Sequence, residues 1–161
     1  MLLPAFTLTL TGATVGVGEG QSGYSGTLPN NPTHYLTIPK NASATLFSLN
    51  GLTNFSFYMG SPDTYNNMTF NLVGGGAQVF NGPQIWDGPN FAGDRTKGFR
   101  VYYDFNGAQV SSIQFESGSD AFEFDGLAGT VVPEPDTWAL MILGFGGVGA
   151  MLRNRRRLVA A

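Results

Sequence analysis

The chain has no cysteine among its 161 residues, a single histidine and few charged residues. The lack of cysteine excludes disulfide bonds, thiolate metal sites and a cysteine nucleophile, so core packing must hold the fold together. Charged residues make up only 12% of the chain. Just four basic residues precede the C-terminal tail, and they are scattered. Because binding to phosphates needs clustered positive charge, nucleic acid is not an expected partner.

The single histidine, His34, stands in a polar stretch before a short apolar segment. A serine hydrolase needs a histidine base and a nucleophile motif around a serine, and no such motif occurs in this chain. A glycosidase needs two carboxylates at a defined spacing across a sugar cleft, and the sequence marks out no such pair. We therefore expect a protein without enzymatic activity.

Apolar residues before residue 126 recur with a period of two, in short stretches that end at glycine, proline or asparagine. Phe6, Leu8 and Leu10 alternate with threonines, and residues 99–105 and 122–125 show the same alternation. This pattern is typical of half-buried β-strands. The chain also holds 23 glycines and 13 phenylalanines. We predict an all-β fold over residues 1–126, an antiparallel β-sandwich of jelly-roll-like type.

Glycine and asparagine also predict where the connections lie. Residues 12–32 are rich in glycine and small hydroxyl residues, which indicates a long surface loop or an edge hairpin. Asn50-Gly51 predicts a tight turn between two strands. Residues 127–132, between the last alternating stretch and the tail, are interpreted as a linker.

The amino terminus does not have the pattern of a signal peptide. No lysine or arginine occurs before Lys40, and the apolar run that starts the chain breaks into alternation at Thr7. A secretory leader has a basic start, an apolar run and a small-residue cleavage site. We therefore expect residues 6–11 to form a strand and the signal peptide to be missing from this sequence.

The C-terminal segment has three zones in a fixed order. Pro133 and Pro135 each fix the backbone φ angle and favour extended geometry in the residue before them, which gives a stiff segment suited to recognition. Residues 138–152 carry no charge and would form a helix of roughly 22 Å, short against a hydrocarbon core of about 30 Å. A basic cluster follows: Arg153, Arg155, Arg156 and Arg157.

Several features favour a transmembrane helix over residues 138–152. Trp138 is a residue type favoured at the headgroup boundary, and the stem of Arg153 can snorkel to extend the span. Glycines are tolerated in membrane helices. The helix positions that we single out beside Trp138 are Gly144, Phe145, Gly146, Gly149 and Leu152. Since basic clusters remain cytoplasmic, the arginines should stop translocation and leave residues 1–137 across the membrane.

The same stretch resembles the PEP-CTERM sorting signal of Gram-negative bacteria in its PEPxxWA form. Every fixed position of that form is present: Pro133, Glu134, Pro135, Trp138 and Ala139. The glycine-rich block and the terminal arginines also match, and the segment is catalogued as an ice-binding protein C-terminal domain as well. The alternative is an ordinary tail anchor with an accidental Pro-Glu-Pro.

The resemblance implies a sorting route with defined partners. An exosortase, a membrane-embedded cysteine protease and transpeptidase, would recognise residues 133–139 and process the chain. The precursor would lie in the inner membrane, in contact with lipid and with its body on the periplasmic side. The body would then reach the cell surface or the extracellular matrix. Segments 57–66 and 121–125 also resemble those of other exosortase-dependent surface proteins, although Gly126 stands where such proteins usually have asparagine.

Two kinds of ligand site are considered for the body. Trp86 and Tyr102 offer flat apolar rings with polar neighbours, a surface on which a sugar ring can stack, so an exopolysaccharide is a candidate partner. The alternative is that Trp86 covers an open edge of the sandwich.

Asp120, Glu123 and Asp125 lie close in sequence and are weak candidates for calcium. However, alternation places Glu123 and Asp125 opposite Phe122 and Phe124, on a face expected to be solvated.

Overall fold

The computed structural model describes residues 6–17, 34–60, 62–89, 98–132 and 135–159. The chain divides into two units, Met1–Val131 and Val132–Ala161. The described strands are β1 (Phe6–Thr11), β2 (Thr14–Val17), β3 (His34–Ile38), β4 (Ser43–Met59), β5 (Asn66–Leu72), β6 (Ala77–Asn81), β7 (Phe99–Asp104), β8 (Val110–Ser117) and β9 (Phe122–Val131). A 3₁₀ helix, Gly82–Ile85, follows β6, and α1, Pro135–Val159, ends the described chain.

Strand β4 organises the first unit because it pairs with four other strands. Its first half, from Ser43, pairs with β1 and β8, and its second half, up to Met59, pairs with β7 and β9. One group of strands therefore runs in the order β6, β5, β8, β4, β1, and the other in the order β7, β4, β9, β3, β2. All of these pairings are antiparallel. The predicted all-β antiparallel fold is confirmed.

The two groups of strands share one core. Phe115 of β8 stacks on Phe124 of β9 with 4.3 Å between ring centroids. Farther along the core, Phe70 of β5 meets Tyr103 of β7 at 4.8 Å. Each of these pairs joins a strand of the first group to a strand of the second. Burial of one such ring stabilises the fold by roughly 1.5–3 kcal/mol, and a well-placed aromatic pair adds about 0.5–1.5 kcal/mol.

The predicted turn at Asn50-Gly51 is wrong. Strand β4 continues through both residues, and its pairing with β8 shifts register between Phe47 and Leu52. Gly51 has φ of +76°, a conformation that side chains rarely adopt. Both a hairpin turn and a β-bulge that bends a strand can require a residue with positive φ, and glycine adopts this conformation easily. Here it lies where β4 passes from one group of strands to the other.

One other predicted connection also differs from the structure. Residues 127–131, interpreted as a linker, continue β9 and pair with the second half of β4. At position 129 the two strands pack too closely for a side chain: a Cβ at Gly129 would lie 2.8 Å from Leu52 Cδ2 and 2.9 Å from the Asn54 carbonyl oxygen. In the glycine-rich stretch 12–32, β2 pairs with β3, which agrees with the edge-hairpin alternative. Residues 18–32 lie outside the described residues.

The second unit contains α1. The uncharged stretch 138–152 lies within α1, which begins at Pro135 and continues through the arginine cluster. Proline suits a first helical position because its missing N–H would have no intrahelical acceptor there. In the part of the chain that the structure describes, no helix is both long and apolar enough to cross a membrane. The predicted transmembrane helix is therefore not confirmed.

Candidate functional site

An open cleft of about 750 Å³ lies between β6, the 3₁₀ helix and β7. Trp86 and Tyr102, the two rings singled out in the sequence, both line it. The polar residues in its wall include two with amides and two with charged side chains: Gln78, Gln84, Asp87 and Arg100. Ligand sites commonly have this size and combine apolar rings with a few polar groups.

Trp86 is held at the end of the 3₁₀ helix. Its indole Nε1 donates a hydrogen bond to the Pro89 carbonyl at 2.9 Å. The ring meets Phe99 of β7 edge to face, with 6.3 Å between centroids. At the other end of the helix, the Gln84 side chain accepts a 3.0 Å hydrogen bond from the Asn81 backbone N–H. These contacts fix the indole ring in the wall of the cleft.

Tyr103 ties the 3₁₀ helix to β7 from the core side. Its hydroxyl donates to the carbonyl of Ile85, the last residue of the helix. Its ring meets Phe70 of β5 at 4.8 Å. Burial raises the pKa of the Tyr103 phenol well above its usual value, since the charged form would be desolvated. The hydroxyl therefore keeps its proton to higher pH than an exposed tyrosine does, and it holds the floor of the cleft.

Tyr102 and Arg100 form the outer wall on β7. Tyr102 is 74% exposed. The guanidinium carbon of Arg100 lies 5.8 Å from the centre of the Tyr102 ring, within the range of a cation–π contact. Arg100 also donates to Ser56 Oγ, at 3.2 Å from Nε and 3.0 Å from Nη2, and to the Gly126 carbonyl at 2.7 Å. The exposed ring of Tyr102 therefore lies beside the positive charge of Arg100, which is held by three hydrogen bonds.

His34 takes no part in this cleft. It begins β3, opposite Val17 of β2, and is exposed. Strand β3 is separated from β7 by β9 and β4 in the order of strands. The chemistry that the described cleft offers is stacking, hydrogen bonding and charge pairing.

The predicted calcium candidates do not form a metal site. Among the residues described, no three His, Cys, Asp or Glu side chains lie close enough to hold a metal ion. Asp120 is exposed and accepts a 2.8 Å hydrogen bond from the Lys40 backbone N–H. Glu123 is fully buried, so its prediction as a solvated residue is wrong. Alternation in the sequence indicates which face of a strand a residue occupies, but not whether other parts of the chain cover that face.

Residues of the sorting segment fall partly within the described chain. Pro133 and Glu134 lie outside the described residues, as do the side chains of Pro135, Trp138, Arg155, Arg156 and Arg157. Ala139, Gly144, Phe145, Gly146, Gly149, Leu152 and Arg153 are exposed on α1. Phe145 is 75% exposed and Ile142 is 68% exposed. The described apolar side chains of α1 are therefore largely exposed.

Comparison with known protein families gives a match for the C-terminal segment. Residues 131–157 match the family model described as the PEP-CTERM protein-sorting motif. The chain carries a PEP-CTERM sorting motif, as the sequence resemblance predicted, and this motif supports export and sorting to the cell surface.

Comparisons of the whole chain add little to this assignment. No curated protein matches the sequence significantly. Among solved structures, the chain is similar to the enzymatically active domain of tailspike protein 4 from bacteriophage CBA120, at 16% identity and a TM-score of 0.40. The match covers 80% of this chain and 20% of the phage chain, so the chain spans about a fifth of that protein's length. A TM-score this low carries no argument about fold or function.

Proposed function

We propose that an exosortase recognises residues 133–139 and processes the chain, which leaves the β-domain at the cell surface or in the extracellular matrix. The observation that carries this proposal is the match of residues 131–157 to the PEP-CTERM motif. The rings of Pro133 and Pro135 would supply a rigid shape, and the carboxylate of Glu134 would supply a charge contact. The body of the chain has no catalytic role in this proposal.

The helix α1 would hold the motif at the membrane until processing. Its described apolar side chains are exposed, including Leu143 at 70% and Met151 at 75%, and such surface is stabilised by contact with lipid or with a membrane enzyme. Trp138 would lie at the headgroup boundary. Arg153, Arg155, Arg156 and Arg157 would remain cytoplasmic, which keeps the body of the precursor on the periplasmic side of the inner membrane.

A matched pair of substitutions tests the recognition step. Glu134→Ala removes a carboxylate at a fixed position of the motif, whereas Asp136→Ala removes one at a variable position two residues away. In cells with an exosortase, we expect Glu134→Ala to accumulate as full-length precursor and Asp136→Ala to be processed like the wild type. Immunoblotting of the precursor and the shortened product measures both. Equal processing of Glu134→Ala and wild type would refute recognition of the motif.

The β-domain has two candidate roles, a passive matrix or adhesion component and a lectin-like module that binds exopolysaccharide. We assign the domain as a jelly-roll-like β-sandwich, which the two facing groups of strands support. The cleft favours the second role, because Trp86 and Tyr102, 16 positions apart in sequence, line the same wall of polar and aromatic groups. Flat rings beside amides suit the apolar faces and the hydroxyls of sugars.

A polysaccharide pull-down with cleft variants separates these roles. We expect the wild type to be retained on a polysaccharide resin, and Trp86→Ala and Tyr102→Ser to be lost from it. Because Trp86 packs against Phe99, the exposed Tyr102 provides the variant that leaves the core intact. Leu49→Ser, at a residue 81% exposed outside the cleft, is the matched control and should bind normally. Binding that survives both cleft substitutions would favour the passive role.

A further inference from the structure

Strand β1, Phe6–Thr11, is an edge strand of the first group of strands. It pairs with β4 on one side, and in the part of the chain that the structure describes no strand pairs with its other side. Alternate residues of an edge strand direct their backbone N–H and C=O groups away from the sheet, where they can pair with another strand. The outer side of β1 therefore offers a template for one more strand.

This edge has none of the features with which proteins normally block pairing between sheets. Strand β1 contains no charged residue, no proline and no glycine, and its pairing with β4 is regular over all six residues. Charged side chains, proline or a β-bulge usually prevent the edges of two copies from pairing. The edge strand β7, by contrast, carries Arg100 and Asp104. On β1, Leu8 is half-buried and Leu10 is 39% exposed, so both leave apolar surface for a partner to cover.

The sequence of β1 matches itself when it is read in the opposite direction. Residues 7–11 are Thr-Leu-Thr-Leu-Thr. If two copies of β1 pair antiparallel about Thr9, each threonine lies opposite a threonine and each leucine lies opposite a leucine. Opposed threonines stabilise a sheet through hydrogen bonds, and the leucine pairs bury apolar surface that one copy leaves exposed. A two-fold interface requires this kind of surface, because the same residues serve both partners.

The opposite edge of the same group does not match itself. Antiparallel pairing of two copies of β6 about its central residue, Val79, would place Gln78 opposite Phe80 and Ala77 opposite Asn81. Three residues of β6 also line the cleft. The edge of β6 is therefore less suited to a second copy than the edge of β1.

We propose that two copies of this chain associate through β1, antiparallel and with Thr9 opposite Thr9, so that the first groups of both copies form one continuous sheet. The neighbours of β1 on the outer face favour this arrangement, because Ser43, Thr45 and Phe47 of β4 carry no charge that would repel the second copy. One strand pair is a small interface, so we expect a weak dimer with Kd on the order of 10 µM. The association uses neither the cleft nor the sorting segment.

Single cysteines test the contact directly, because the chain has none of its own. In the proposed pairing, Thr9→Cys brings two thiols face to face at a spacing close to that of a disulfide bond. Val79→Cys is the matched control, since Val79 lies in the same cross-strand row as Thr9 but at the opposite edge of the group. After mild oxidation of the full chain, we expect a disulfide-linked dimer for Thr9→Cys on a non-reducing gel and little or none for Val79→Cys.

Mixing two variants tests the direction of pairing. Thr7 lies opposite Thr11 of the second copy in the proposed register, so Thr7→Cys and Thr11→Cys chains should cross-link far more when mixed than either does alone. Adding Thr9→Lys to both chains opposes two positive charges and should abolish this cross-link. Thr9→Lys in one chain and Thr9→Glu in the other should restore it. Since Thr9 is exposed, these substitutions leave the core intact, and thermal melting of each variant checks the fold.

Three results would overturn the proposal. Thr9→Cys could cross-link no more than Val79→Cys, which would place the contact elsewhere or show that the chain is a monomer. Thr7→Cys and Thr11→Cys could each link better alone than together, which would make the strands parallel. The cross-link between mixed chains could persist with Thr9→Lys in both, which would show that other surfaces, such as the exposed apolar side chains of α1, bring the copies together.

Discussion

Replacing Phe115 by alanine should strongly destabilise the β-domain. Phe115 is fully buried on β8 and contacts four other phenylalanine rings. Its nearest ring, Phe124 on β9, belongs to the other group of strands and lies 4.3 Å away. Removing a buried phenylalanine side chain costs about 3–5 kcal/mol, because transfer energy is lost and a cavity remains. For a domain of about this size we expect Tm to fall by roughly 10–20 °C.

Thermal and urea unfolding followed by circular dichroism measure this loss. Phe47→Ala is the matched control, because Phe47 is 46% exposed on β4, and we expect it to cost less than about 1 kcal/mol. A double-mutant cycle between Phe115→Ala and Phe124→Ala should give a coupling of about 0.5–1.5 kcal/mol. If Phe115→Ala cost no more than Phe47→Ala, the shared aromatic core between the two groups of strands would be refuted.

Two further predictions concern the floor of the cleft and the end of β9. Tyr103→Phe should cost about 1–2 kcal/mol at neutral pH, because the Ile85 carbonyl loses its donor, as measured by urea unfolding. Since burial raises the pKa of Tyr103, the unfolded chain loses this proton first, so wild-type stability should fall as pH rises above 10.0 and fall less in Tyr103→Phe. Gly129→Ala should lower Tm because its Cβ would lie 2.9 Å from the Asn54 carbonyl oxygen, whereas Gly144→Ala, with no atom within 4 Å, should leave the β-domain unchanged. An unchanged Tm in Gly129→Ala would contradict the close packing of β9 on β4.

Local patterns in the sequence were enough to predict the strands of the β-domain. The alternation of Phe99, Val101 and Tyr103 predicts a strand with one face in the core, and the structure has β7 there. The two rings of the cleft, Trp86 and Tyr102, were predictable one at a time from their residue type and their polar neighbours. Alternation does not show which distant segments come together, and the cleft is formed by segments that are distant in sequence. Its assembly rests on the bond between Tyr103 and Ile85, for which no sequence signal exists.

The mistaken predictions have the same physical origin. Asn50-Gly51 has identical local chemistry in a hairpin turn and in a bulge, and only the pairing of β4 with strands on both sides decides between them. Gly129 was interpreted as part of a linker, although its small size is what lets β9 approach β4. Glu123 alternates like a solvated residue, yet it is fully buried, because alternation does not show whether a face is covered. The sorting motif was predictable because its signal is contained in consecutive residues.

The central claim is that the last thirty residues direct this chain out of the cell and to a processing enzyme. The most direct measurement is fractionation of cells that express the full chain and an exosortase, followed by mass spectrometry of the chain in each fraction. We predict that the β-domain is found at the surface or in the matrix and has been processed in its C-terminal segment. A chain recovered from the cytosol with residues 131–157 intact would contradict the account.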